Sequence, residues 1–155
     1  MFENSNIETT LMNQSEIFSY LRDTEITRDV DKIIVHCSDS DNPRHDSIDV
    51  IKEWHTVYNG WSDIGYQFFI DFHGIIYIGC SLNEVGAHTF TQNDDSIGIC
   101  LSGKYRFSKQ QKDALQFLLT SLCSKYGLIR ANVYGHNEFD KMKTCPNFDL
   151  SDFTT

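Results

Sequence analysis

The sequence contains little proline, little basic charge and no long apolar segment. Only two of its 155 residues are proline, whereas 40% are hydrophobic and 13% are aromatic. This composition excludes a disordered chain, because disordered chains are poor in aromatic residues and often rich in proline. No uncharged apolar run approaches the roughly 20 residues that a membrane-spanning helix needs, so we expect no membrane contact.

Basic residues are outnumbered by acidic ones, 13 to 22, which gives a formal net charge of −9. Proteins that bind nucleic acid through its phosphates carry basic surfaces, so we expect no nucleic-acid partner. Residues 1–31 hold seven acidic and two basic residues and therefore a large part of the net charge. We interpret residues 1–31 as an acidic appendage outside the core. Residues 32–155 have the length of a single domain, which would carry the function.

The five cysteines are odd in number, and no two of them form a CxxC pair. The N-terminus has neither the basic start nor the apolar stretch of a signal peptide. Both features favour synthesis in a reducing cytoplasm, where cysteines stay as thiols.

Hydrophobic patterning predicts an α/β fold with a mixed central sheet of about five strands flanked by helices. The predicted strands are residues 32–38, 65–71, 75–79, 96–101 and 132–134. A helix is predicted where apolar residues recur every three positions from Ile48 to Val57. A longer one is predicted between Ser108, which forms a capping box with Gln111, and Gly127. A short amphipathic helix is predicted near residues 17–21, and its apolar side chains, Ile17, Phe18 and Leu21, are expected to dock residues 14–23 on the domain.

Three residues suggest a metal site by their chemistry. His36 lies near the C-terminal end of one predicted strand, His136 follows another, and Cys145 lies nine residues further along. Two imidazoles and one thiolate suit zinc, and three protein ligands leave one position open, as in catalytic sites. Residue type alone leaves the ordinary alternative open, because a single histidine at a strand end is more often only a polar terminus. Spacing does not decide between them.

Six motifs occur in order around these residues. They are IIVHCS, IKEWH, WSDIGYQFFI, VGAH, NDDSIGI and GHNE followed by KTCP. Together, over about residues 32–150, they resemble the zinc-dependent N-acetylmuramoyl-L-alanine amidases of the type-2 amidase and peptidoglycan-recognition-protein superfamily. The closest resemblance is to small phage endolysins of the T7 lysozyme type, which implies the fold of that superfamily.

The resemblance implies roles for six residues. It implies one zinc ion per chain, with the ligands His36, His136 and Cys145. It implies that Tyr66 and Lys143 are catalytic residues beside the metal, without deciding which of them handles protons. It also implies that His88 lies in a substrate-binding loop. The sequence departs from the T7 type at two points. Gln67 stands where those enzymes carry a histidine, and the interval between His136 and Cys145 is one residue longer than theirs.

The implied activity is hydrolysis of the amide bond between N-acetylmuramic acid and the L-alanine of the stem peptide. The implied partner is bacterial peptidoglycan, and the implied setting is host lysis by a monomeric phage endolysin that acts on the cell wall. A peptidoglycan-binding protein without catalysis remains an alternative, although the three ligand positions favour catalysis. Regulation of a phage RNA polymerase, known for the T7 type, also remains open, but no motif here carries it over.

Overall fold

A five-stranded mixed sheet forms the centre of the protein. The computed structural model describes residues 2–154, with side chains from residue 8 onwards, and orders the strands β3-β2-β4-β1-β5. The strands are β1 (Lys32–Cys37), β2 (Phe68–Ile70), β3 (Ile76–Ile78), β4 (Ser96–Leu101) and β5 (Val133–Gly135). Only β3 is antiparallel to its neighbour in this sheet. The predicted fold class is confirmed, and β2 and β3, which follow each other in the chain, pair as an antiparallel hairpin.

The interior strand β1, between β4 and β5, is buried on both faces of the sheet, as its unbroken apolar run predicts. Side chains alternate along a strand, so Val35 and His36 point to opposite faces. The register aligns His36 with Cys100 of β4 and thereby with Phe69 of β2. His36 therefore belongs to the face opposite the one that Val35 shares with the larger apolar cluster.

The larger cluster is covered by helix α3 (Lys109–Tyr126). The predicted capping box is present, and Gly127 ends the helix with a φ of 68°, a left-handed conformation that glycine adopts without strain. The buried stripe of α3 consists of apolar side chains: Ala114, Leu115, Leu118, Leu119, Leu122 and Cys123. Among residues 2–154, no helix combines the length and apolar character needed to cross a membrane.

The acidic N-terminal segment forms a long helix that packs into the same cluster. Helix α1 extends over Phe2–Asp23, much further than the short helix predicted near residues 17–21. Ile17 and Leu21 are buried, and so is Val30 after the helix. The expected docking is confirmed for Ile17 and Leu21, which stand one helical turn apart and face α3, but not for Phe18, which is exposed. The interpretation that the segment lies outside the core is wrong at Ile17 and Leu21, because both belong to the larger apolar cluster. The assignment of catalysis to residues 32–155 alone stays a prediction.

Polar contacts hold α1 near its middle and at its end. The side-chain amide of Asn13 donates to the carbonyl of Ile76 at 3.0 Å and accepts from the amide of Ile76 at 2.9 Å. Lys125 Nζ donates to the carbonyls of Leu21 and Thr24 at 2.7 and 2.5 Å. A lysine at this point satisfies carbonyls that the helix end leaves unpaired. The helix thus lies on the sheet face opposite His36.

We expect Leu21→Ala to lower the free energy of unfolding by about 2–5 kcal/mol, because the substitution leaves a cavity in the core. Phe18→Ala is the matched control on the same helix, since Phe18 is 55% exposed. Urea unfolding of both variants measures the difference. Equal midpoints for Leu21→Ala and the unmodified chain would contradict the packing of α1 described above.

The second face of the sheet is covered by α2 (Ile48–Glu53), whose first turn is capped by Ser47. The helix continues as a wider π-helical turn over Trp54–Tyr58, in which the amide of Asn59 donates to the carbonyl of Trp54. The three-residue spacing predicts that Val57 is buried, but Val57 is 68% exposed. The wider turn rotates the following residues, so the apolar face ends at Trp54.

Candidate metal centre

The three predicted metal ligands converge at the C-terminal edge of the sheet. Strands β1 and β5 are parallel neighbours, and Val35 is aligned with Gly135. The next residues, His36 and His136, therefore lie side by side, with ring centroids 4.5 Å apart. One donor atom from each histidine and the sulfur of Cys145 all lie within 4.8 Å of one another. This donor set can hold a metal ion.

Backbone contacts fix Cys145 in this cluster. The amide of Asn137 donates to the carbonyl of Cys145 at 2.9 Å, which ties the loop back to the turn after β5. The amide of Cys37 donates to Cys145 Sγ at 3.1 Å, and Sγ lies 3.7 Å from His136 Nδ1. A hydrogen bond with the Cys37 thiol, together with burial, raises the pKa of the Cys145 thiol. A bound cation offsets this effect, because metal binding to cysteine releases the thiol proton.

The two histidines of the cluster are held in their neutral form. His36 is only 1% exposed. Burial, and secondarily the neighbouring His88 and His136, lower the pKa of His36 well below its usual value. Burial and the charge of Lys143 lower the pKa of His136. Neutral imidazole is the form that ligates metals, so this environment favours metal binding.

Tyr66 and Lys143 both lie beside the cluster. The Tyr66 ring centroid is 5.1 Å from that of His36, and burial raises the pKa of the Tyr66 hydroxyl well above 10. The hydroxyl is therefore protonated at neutral pH and can donate a hydrogen bond. Lys143 is exposed on the loop before Cys145, close enough for its charge to affect the pKa of His136. The catalytic roles of Tyr66 and Lys143 stay predictions.

His88 contacts His36 of the cluster directly, which its predicted place in a substrate-binding loop does not include. Its ring packs edge-on against His36, with centroids 4.9 Å apart, and its Nδ1 is 2.9 Å from His36 Nε2. Burial lowers the pKa of His88 to about 3. The contact of His88 with substrate stays a prediction.

Comparison with known proteins identifies the family. The family model described as N-acetylmuramoyl-L-alanine amidase (Amidase_2) matches residues 26–148. This chain belongs to that family. The endolysin of Escherichia phage T7 is 36% identical over 130 residues, which cover 77% of this chain and 82% of the phage protein.

Two solved structures are similar to this amidase over most of its length. The endolysin amidase LysCS from Clostridium intestinale has a TM-score of 0.70 and 29% identity, covering 78% of this chain and 77% of that chain. Drosophila PGRP-LB has a TM-score of 0.68 and 30% identity, covering 84% of this chain and 86% of that chain. The amidase fold that the resemblance implies is therefore confirmed.

Several polar residues of this amidase's site were missed by the sequence analysis. Thr89 and Ser96 are buried, at 2% and 0% exposure; Thr89 bonds to His36 of the cluster, and Ser96 bonds to His88. Gln67, noted only as a departure from the T7 type, is fully buried. It accepts from the amide of Gly98 at 2.7 Å and donates to the carbonyl of Glu84 at 3.1 Å. The sequence signal that could have identified such residues is a polar side chain inside an otherwise apolar motif.

Proposed function

We propose that this chain is a zinc-dependent N-acetylmuramoyl-L-alanine amidase that serves as a phage endolysin. Its substrate is bacterial peptidoglycan, and the scissile bond joins the lactyl group of N-acetylmuramic acid to the L-alanine of the stem peptide. The observation that carries the proposal is the convergence of His36, His136 and Cys145 within 4.8 Å, in a chain of the amidase family. Its similarity to the T7 endolysin supports the setting.

The donor set fits zinc on chemical grounds. Zinc is a borderline-soft ion that prefers nitrogen and sulfur ligands in a tetrahedron, and His36, His136 and Cys145 supply three of them. Three protein donors leave one position open to solvent or substrate, which is the pattern of catalytic zinc sites. When bound, zinc lowers the pKa of a coordinated water to about 7 and polarises the substrate carbonyl.

Tyr66 and Lys143 supply the remaining chemistry in this proposal. Amide hydrolysis places negative charge on the carbonyl oxygen, and a donor aimed at that oxygen stabilises the transition state. The protonated hydroxyl of Tyr66 is such a donor, and the ammonium group of Lys143 adds a positive charge near His136. One of these two side chains also exchanges a proton with the leaving amine or the nucleophile, provided that it lies within hydrogen-bond reach.

Two other functions make different predictions. A binding protein without catalysis retains peptidoglycan but releases no fragments, and the complete set of three donors argues against it. A regulator of a phage RNA polymerase forms a complex with that enzyme, which a pull-down with the purified polymerase detects. No observation on the described residues favours the regulator.

Mass analysis of fragments from purified cell walls tests the proposal. We expect new amino groups on L-alanine, no new reducing sugar ends, and one zinc ion per chain in the purified protein. A chelator should abolish fragment release, and added zinc should restore it, because removal of the ion leaves the donor residues in place. New reducing ends would identify a glycosidase instead, and wall binding without fragments would identify a binding protein.

A further inference from the structure

The Nε2 atom of His36 is enclosed by two polar groups. It lies 2.9 Å from His88 Nδ1 and 3.2 Å from Thr89 Oγ1, and the last two atoms are 3.0 Å apart. These contacts leave no space for a metal ion at Nε2. The nitrogen of His36 that remains for a metal is therefore Nδ1.

This arrangement determines where the protons lie on both rings. A neutral imidazole that ligates through Nδ1 carries its proton on Nε2, so His36 Nε2 is a donor. His88 Nδ1 is then the acceptor, and His88 carries its own proton on Nε2. That nitrogen lies 3.2 Å from Ser96 Oγ, which is fully buried and can accept the proton. A chain of donors and acceptors thus runs from the metal cluster to Ser96.

The surroundings of His88 hold its ring in place. Asn93 Oδ1 accepts from the backbone amides of His88 and Thr89, both at 2.9 Å, which fixes the loop. The ring packs directly on Gly98 of β4, where an added Cβ atom would lie 2.6 Å from the ring. Glycine at position 98 therefore gives His88 the space to reach His36.

We propose that His88 is a positioning residue for the metal ligand His36. By accepting the proton of His36 Nε2, it fixes the tautomer and the orientation that present Nδ1 to His136 and Cys145. This inference rests on the proposed zinc amidase function, and it assigns His88 a role other than direct contact with substrate. Partners of this kind typically contribute 10–100-fold to metal affinity or activity.

Zinc affinity, measured by competition with a chromophoric chelator, tests the proposal in the full-length protein. We expect His88→Phe to weaken zinc binding by about 10–100-fold, because phenylalanine fills the space but accepts no hydrogen bond. His88→Asn should recover much of the loss, since its Oδ1 stands near the position of Nδ1 and can accept. At saturating zinc, His88→Phe should lower kcat and leave KM near the wild-type value.

Two results would overturn the proposal. Unchanged zinc affinity in His88→Phe with a raised KM would indicate contact with substrate, and an equal loss of affinity in both variants would indicate general packing. If His88→Phe does not fold, Ser96→Ala is the second test, because it removes only the acceptor of His88 Nε2. Ser96→Ala should weaken zinc binding less than His88→Phe, and unchanged affinity would contradict the chain of hydrogen bonds.

The wild-type protein separates this proposal from the proposed function. If the wild-type protein binds no zinc or releases no wall fragments, the zinc amidase function fails, whatever the variants do. If it binds zinc and cleaves walls while His88→Phe keeps its full zinc affinity, only the role of His88 fails.

Discussion

Cys145→Ser should abolish wall hydrolysis and remove bound zinc without unfolding the protein. The sulfur is one of three donors that lie within 4.8 Å of one another. Serine keeps its proton at neutral pH, and a neutral hydroxyl is a much poorer zinc ligand than a thiolate. Zinc content measured by elemental analysis, wall turbidity and circular dichroism together report the three expected outcomes.

Cys123→Ser is the matched control for this experiment. Cys123 is also buried, but it lies on α3, which covers the face of the sheet opposite His36. The same sulfur-to-oxygen change at Cys123 should leave zinc content and turbidity loss near wild type. Full zinc content and lytic activity in Cys145→Ser would show that Cys145 is not a ligand.

Tyr66→Phe and Lys143→Ala should each lower kcat by about 10²–10³-fold while zinc stays bound, which is the typical cost of losing one contact to a developing oxyanion. Tyr66→Phe removes only the hydroxyl of a ring that packs against His36. Lys143→Ala removes a charge from an exposed loop position. Release of wall fragments at several substrate concentrations, with zinc content measured on the same samples, separates turnover from metal binding.

Lys141→Ala is the control for Lys143, because both lysines are exposed on the same loop. Tyr58→Phe is the control for Tyr66, since Tyr58 is 74% exposed. Both controls should retain near wild-type kcat. A larger loss in Lys141→Ala than in Lys143→Ala would transfer the role to Lys141, and loss of zinc in Tyr66→Phe would indicate a structural role for Tyr66.

Local signals explain which parts of the fold were predictable. Helix α3 begins and ends where Ser108, Gln111 and Gly127 predict, because caps act within one turn of the chain. The buried strands β1 and β4 were equally clear from their unbroken apolar runs. His36 and His136 are close in space because β1 pairs with β5, and no local sequence pattern encodes that pairing. Only the ordered family motifs predicted that convergence.

Contacts between distant segments explain what the sequence analysis missed. Most of α1 is polar; the apolar residues near Ile17 and Leu21 predict docking on the domain, but not that these two side chains become part of the main apolar cluster beneath α3. The π-helical turn at Trp54–Tyr58 interrupts the three-residue spacing of apolar residues from which the burial of Val57 was predicted. The position of His88 depends on the space above Gly98, a residue 10 positions further along the chain.

The pairing of Asn13 with Ile76 has a consequence for the behaviour of the protein at high concentration. Strand β3 is an edge strand, and the free amides and carbonyls of edge strands recruit strands from other molecules into intermolecular sheets. The Asn13 side chain occupies both backbone groups of Ile76, so a second molecule cannot add a strand there without displacing α1. We therefore expect a chain that lacks the residues up to and including Asn13 to aggregate through β3, while the metal cluster on the other face of the sheet stays intact.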